Sequence, residues 1–184
     1  MSAMTQMNQP TGADTTSPAP ASDTLAVTTD VQAQMAADSA PAPKPLDADW
    51  QNLWFSLQRT PWSALAVIPA DSGLDVRDVA EAIVDVGRMS GADDIRLLNA
   101  IGASFSEAQE LVDVIGISAR RGVPVVVACD AVEENPATLA LAHAAAHTVM
   151  VVRLGDSRMV SARKTIEAVG REHVLAAVTL RPRR

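Results

Sequence analysis

A single cysteine, Cys129, stands in a chain of 184 residues, so no intrachain disulfide framework can form. Aromatic residues make up only 3%: Trp50, Trp54, Trp62, Phe55 and Phe105, with no tyrosine. Any core must therefore be built from Val, Ile, Leu and Ala. Basic side chains are outnumbered 15 to 22, for a formal net charge of -7, which excludes a broad basic face for nucleic acid. No apolar run approaches the roughly 18–20 residues needed to span a bilayer. The beginning of the sequence carries no basic stretch followed by an apolar one, so it does not read as a secretory signal. These absences set the expectations: no nucleic-acid partner, no direct membrane span and a reducing, cytoplasmic location. What the chain does have is 48% hydrophobic residues, enough for one core of ordinary size.

Composition divides the chain in two. Residues 1–45 are rich in Ser, Thr, Ala, Pro, Gln and Asp, with stretches such as TTSPAPASD and APAPKPLD. Lys44 is the only basic residue there, against Asp14, Asp23, Asp30 and Asp38. No apolar periodicity lasts two turns, and such a stretch cannot bury enough to offset its ordering entropy. It reads as a disordered tail, either solubilising or partner-binding. Residues 46–184 read as one folded domain.

Within that domain, Trp50, Leu53, Trp54 and Leu57 fall at i, i+3, i+4 and i+7, one face of a helix over Asp47–Arg59 that ends before Thr60-Pro61. This face either docks on the chain's own sheet or meets a partner, a weak homodimer included. Docking on the sheet is the leading reading. Thereafter the chain alternates. Strands are predicted at Ala64–Ile68, Ile95–Leu98, Pro124–Ala128, Thr148–Arg153 and Val174–Leu180. Helices are predicted over Val76–Ser90, Ser104–Arg121, Asn135 to about His147, and Ser157–Val169. Ser104 and Glu107 have capping-box spacing, and Gly122 supplies the C-terminal stop. Continuous apolar strands, instead of alternating ones, are strands covered on both faces. The fold class is therefore α/β: a three-layer sandwich with a mainly parallel sheet of about five strands. Ligands of such folds bind beyond the carboxyl ends of the strands. Those ends fall at Pro69–Asp78, Asn99–Ser104, Ala128–Asn135 and Arg153–Ser157.

The first of these turns runs ALAVIPADSGLDVRDVA from Ala64 to Ala80. It resembles the opening of the deviant Walker-A ATPases: the cytoplasmic tyrosine kinases of polysaccharide export, and the septum-site and partition ATPases. In that family a strand runs into P-G-E-G-K-S/T-T-V-A. Laid without a gap, Ser72 takes the proline place and Gly73 the first glycine. Leu74 and Asp75 replace E-G, Val76 replaces the lysine, and Arg77 and Asp78 replace the hydroxyl pair. Ile95-Arg-Leu-Leu-Asn99 resembles the family's acid-ending strand, with Asn99 at the first aspartate's place. Pro124–Asp130 resembles the next one, with Ala128 at the acid's place, or Asp130 if the loop shifts by two. The stretch from Asn135 to Leu180 resembles the family's closing section. The resemblance implies a P-loop-like fold, with the catalytic set absent.

The substitutions have a physical sense. A phosphate loop needs glycine N–H groups free to close on the phosphates, a lysine for their charge and a hydroxyl for magnesium. Valine supplies neither charge nor donor. Asp71, Asp75 and Asp78 place carboxylates where an anionic phosphate would sit, and at about 4 Å and an effective dielectric near 20 each such contact costs about 4 kcal/mol. Asp75 reads as the N-cap of the following helix, with Asp78 at the third position as its partner. No catalytic residue, cofactor or metal is expected, and the chain reads as a pseudo-ATPase. Through the resemblance alone, it is expected to be a scaffold or regulator of an exopolysaccharide or envelope-assembly machine, held to protein partners such as a membrane-associated export or synthesis complex.

Two alternatives remain. In one, Asp71, Asp75, Asp78 and Asp130 converge on a divalent metal and make the crevice an enzyme's. In the other, the same non-catalytic fold serves as a positioning or secretion adaptor. Remaining chemistry-bearing residues read as structural. His143 and His147 stand at i, i+4 without a nearby Glu or Cys, and His173 stands alone. Cys129 lies in an acidic setting with Asp130, Glu133 and Glu134. Ser72 and Ser104 have no triad partners. Arg153, Gly155, Asp156, Ser157 and Arg158 read as a helix-opening turn, and Arg181-Pro-Arg-Arg184 as a short basic end.

Overall fold

The computed structural model describes residues 48–155 and 157–181. The tail expected over 1–45, Asp156 and the last three residues of the basic end lie outside the described residues. The elements run α1 (Ala48–Leu57), β1 (Ala64–Pro69), α2 (Arg77–Met89), β2 (Arg96–Asn99), α3 (Phe105–Arg120), β3 (Val125–Ala128), α4 (Ala137–Ala145), β4 (Thr148–Arg153), α5 (Met159–Val169), a 3-10 turn (Arg171–His173) and β5 (Val174–Leu180). All five strands are parallel, in the order β2-β3-β1-β4-β5. The sheet class read from the sequence is the one observed. Among the described residues, no helix is long and apolar enough to cross a membrane.

β1 is the central strand, and every one of its residues is buried. One face of the sheet is covered by α1 and α2. Their core joins Leu65 and Val67 of β1 to Val126, Val149 and Val151, under Trp54, Leu57, Val79, Ile83 and Val86. The other face is covered by α3 and α4, through Ile115, Leu141 and Ala142 over Ala64, Ala66, Ile68, Val125 and Val127. A small third cluster, Ala70, Met150 and Ala162, ties α5 to β4.

The connections explain where a crevice forms. From β1 the chain passes over β3 to reach β2, whereas from β4 it moves outward to β5. Neighbouring strands whose connections leave in opposite directions open a gap between their following loops. That gap lies at the carboxyl ends of β1 and β4.

The tryptophan face is spent within the domain. Trp54 retains 5% exposure and Leu57 1%, while Trp50 and Leu53 pack half-buried against the same core. The Trp54 ring meets Trp62 edge-on, with centroids 6.0 Å apart. Of the two readings of the Trp50/Leu53/Trp54/Leu57 face, docking on the chain's own sheet is the one observed, and the candidate partner face is largely used as an internal anchor: a helix carrying two indoles lowers its free energy most by covering the aliphatic sheet beside it.

α1 approaches α2 closely because Gly87 has no side chain. A Cβ at that position would lie 2.8 Å from Cη2 of Trp54 and 3.1 Å from Cδ1 of Ile95. Gly87→Ala is expected to destabilise the domain by about 1–3 kcal/mol, the usual cost of overpacking a filled core. Urea unfolding followed by tryptophan fluorescence checks this, and an unchanged midpoint would refute the packing role.

Candidate functional site

The crevice encloses about 280 Å³ and is lined by Asp71, Ser72, Leu74, Glu133, Arg153, Ser157, Arg158 and Ser161. Three of the four strand-end loops contribute: those after β1, β3 and β4. The loop after β2 is tied to the loop after β3 instead.

The loop after β1 holds the positions where the resemblance places a phosphate cradle. Val76, at the lysine's place, is fully buried, and Leu74 retains 8% exposure. Both belong to the core beneath α1 and α2. These two apolar anchors, one on each side of Asp75, pull the backbone down onto the sheet. The segment has no lysine to project and little freedom to arch outward. Gly73, just before them, takes a left-handed φ of +74°, a conformation glycine adopts without strain.

The N–H of Gly73 does not point to empty solvent. It donates to Oε1 of Glu134 at 3.0 Å, across 61 residues of sequence. A carboxylate of the chain itself thus sits on the glycine that the resemblance places first in a phosphate loop. The same solution recurs along the edge. Asp71 Oδ2 accepts the Arg158 N–H at 2.6 Å, at the opening of α5. Asp75 Oδ1 accepts the Arg77 N–H at 2.8 Å. Asp130 Oδ2 accepts the Gly102 N–H at 2.7 Å and the Asn135 side-chain amide at 3.1 Å. Asn135 also donates to the Ala103 carbonyl at 2.9 Å and accepts from the Ala137 N–H at 3.1 Å, opening α4. Thr138 Oγ1 closes the set on the Asp130 carbonyl.

Several expectations change in detail. The N-cap of α2 is Val76 and carries no side-chain cap; Asp75 caps from one residue earlier, and Asp78 stands at the second helical position, so no box forms there. The Ser104/Glu107 box forms as read, with bonds of 2.8 and 3.3 Å. Ser157 does not open α5: its Oγ takes the Arg153 N–H at 2.9 Å, and the helix starts at Met159. Asn99 and Ala128 are direct neighbours across β2 and β3; Ala128 is fully buried, and Asn99 turns its Oδ1 to the Ile101 N–H. Asp130 does not replace Ala128 on the β1 side, because it is held by the β2 loop.

The four aspartates of the metal reading are not brought together. Asp71, Asp75 and Asp130 each serve a different loop, and among the described residues no three His, Cys, Asp or Glu side chains group as metal ligands. The histidines lie at the opposite, amino end of the sheet, where His173 Nδ1 donates to the Ala146 carbonyl at 2.8 Å and its ring meets that of His143. Burial pushes the Cys129 thiol up to about 12, with the Asp130 charge adding to it. A thiol so held has almost no thiolate at neutral pH. Sequence reading gave Glu134 only as part of the acidic setting of Cys129 and did not single out Ser161, since neither belongs to a motif and both act on loops far away in sequence.

The Asp71 carboxyl is pushed up by its slight burial, but hydrogen bonds from Ser161, the Arg158 N–H and Ser157, together with the Arg158 charge, outweigh this and hold it below its ordinary 3.8. A depressed folded-state value means stabilisation that is complete above the ordinary value and lost as pH falls through the folded one. Asp71→Asn is therefore expected to be less stable than wild type at pH 7, with the difference shrinking below about pH 4. Urea midpoints at both pH values check this, and a pH-independent difference would contradict it. Cys129 is expected to resist thiol reagents at pH 8 until the protein is unfolded; labelling of the native chain within minutes would contradict its burial.

No family model matches the chain, and no curated protein is similar to it in sequence. Among solved structures, the chain is similar to the chimerical protein CapA2B2, with a TM-score of 0.61 over 83% of this chain and 91% of that one. At 7% identity the likeness is one of fold.

Proposed function

We propose that this chain is a non-catalytic, P-loop-like scaffold or regulator of an exopolysaccharide or envelope-assembly machine, acting through protein contacts on the cytoplasmic side. The observation that carries the non-catalytic reading is the loop after β1: Val76 is buried where the family's lysine stands, and Glu134 occupies the N–H of Gly73. A nucleotide would have to displace that carboxylate and then sit beside Asp71, Asp75 and Glu133. Nothing in the loop compensates, since an arginine on the surface cannot supply the enclosed backbone donors that a phosphate loop provides.

The polysaccharide assignment rests on the sequence resemblance. The shared fold with CapA2B2 is consistent with it and supports the α/β architecture on which the resemblance depends. A sheet whose strand ends are closed by internal hydrogen bonds keeps its shape without a ligand. That is the property a scaffold needs and a nucleotide-driven switch lacks.

Calorimetric titration of the full chain with ATP and with ADP, each with magnesium, is expected to give no binding heat at millimolar nucleotide. Saturable binding at micromolar concentration would overturn the reading. Retention of the protein by a membrane-associated synthesis or export complex, checked by affinity capture from its own cells, is the expected positive result. Capture of nucleotide-metabolising partners alone would count against it.

A further inference from the structure

We propose that α5 is a homodimer interface, on which a second copy of this chain docks antiparallel about a two-fold axis. The inference rests on the outer face of α5 and does not depend on the reading of the crevice. Between α5 and the sheet edge formed by β4 and β5 lies an apolar groove of about 750 Å³, whose floor includes Met150, Val152, Ala162, Ile166 and Val174. Beside it stand the most exposed apolar side chains of the helix, Met159 at 84% and Val160 at 65%. A groove with a projecting methionine at its rim is a hole with its own knob. Methionine is flexible and polarisable enough to fill an irregular slot of this kind.

The charges on the rim choose the occupant. Arg163 and Glu167 lie one turn apart on the exposed side of α5, paired at 2.8 Å, with side chains 81% and 61% exposed. A partner of one charge sign would meet one of them unfavourably. An antiparallel second α5 does not: when Arg163 faces Glu167 of the other copy, the reverse pair forms by symmetry. The same register carries Met159 of each copy to the C-terminal end of the other's α5, where Arg171 and Val174 line the end of the groove. There the aliphatic stem of the arginine can cover the thioether. Apolar burial and charge pairing thus select one arrangement, and each copy supplies both halves of it.

Sedimentation equilibrium of the full chain tests this, using Arg163→Glu and Glu167→Arg. Both sites are exposed and their intrahelical pair adds little to stability, so each variant keeps its fold, which circular dichroism verifies. Wild type is expected to dimerise in the micromolar range. Each variant alone is expected to weaken dimerisation at least about tenfold, because like charges meet across the axis. Mixed in equal amounts, the two are expected to form a 1:1 dimer. The carboxylate introduced in one variant then faces the guanidinium introduced in the other, and the native Glu167 of the first faces the native Arg163 of the second. Recovery on mixing cannot come from a contact within one helix. A wild-type chain that stays monomeric to millimolar concentration, a dimer indifferent to both substitutions, or a mixture no tighter than its components would each overturn the proposal.

Discussion

The Val76 side chain lies wholly inside the core, below the carboxyl end of the central strand, with Leu74 beside it. Burying two aliphatic side chains of this size is worth about 1.5–3 kcal/mol each. That energy holds down the segment joining β1 to α2, and the neighbouring loops adapt to where it lies. With the backbone drawn inward, Gly73 presents its N–H within reach of the loop after β3, where Glu134 accepts it. Asp71 is left facing the opening of α5 and accepts the Arg158 N–H. A lysine in place of Val76 would have to carry its charge out of the core, and the loop would have to rise with it.

The carboxyl edge of this sheet can therefore be understood as a set of anion sites occupied by the protein itself. Loop and helix-start N–H groups need acceptors, and a bound anion is one way to supply them. Here carboxylates do it from within: Glu134 on Gly73, Asp130 on Gly102, Asp71 on Arg158 and Glu107 on Ser104. Internal acceptors cost no association entropy and are present at every ligand concentration. Three of them, Glu134 on Gly73, Asp130 on Gly102 and Asp71 on Arg158, join loops that are distant in sequence.

The elements were legible because β1, β3 and most of β4 are buried on both faces, the edge strands β2 and β5 are still apolar runs, and the helices are amphipathic. β4 and β5 fall on the residues read from the apolar runs Thr148–Arg153 and Val174–Leu180. Caps within one segment, such as Ser104 with Glu107, were equally legible. Contacts between segments were not. Glu134 meets Gly73 across 61 residues and Asp71 meets Arg158 across 87. Both depend on β1 lying between β3 and β4, an order that periodicity does not encode. The same ignorance moved the start of α5: Ser157 is a good N-cap by residue type, but in the folded chain it turns back to the Arg153 N–H and the helix opens two residues later. The gathering of four aspartates was plausible from spacing alone and failed because Asp71, Asp75 and Asp130 each found a donor in a different loop.

The outer faces of the sandwich differ in how much apolar surface they leave open. The Trp50–Leu57 face is taken up by the sheet, since Trp54 fits the space that Gly87 leaves. α5 is different: it is held through the small cluster of Ala70, Met150 and Ala162, and its apolar groove stays open on one side. A net charge of -7 opposes bringing two copies together. That repulsion acts over a Debye length of only about 8 Å at physiological salt, and it is a sum over the whole chain. Locally the α5 rim carries both signs, with Arg163 and Arg171 beside Glu167, and lacks the excess of negative charge of the whole chain. Global charge then keeps random collisions apart, while a patch with apolar surface and both signs of charge is where the proposed contact gains most. Specificity comes from that contrast between the whole surface and the patch.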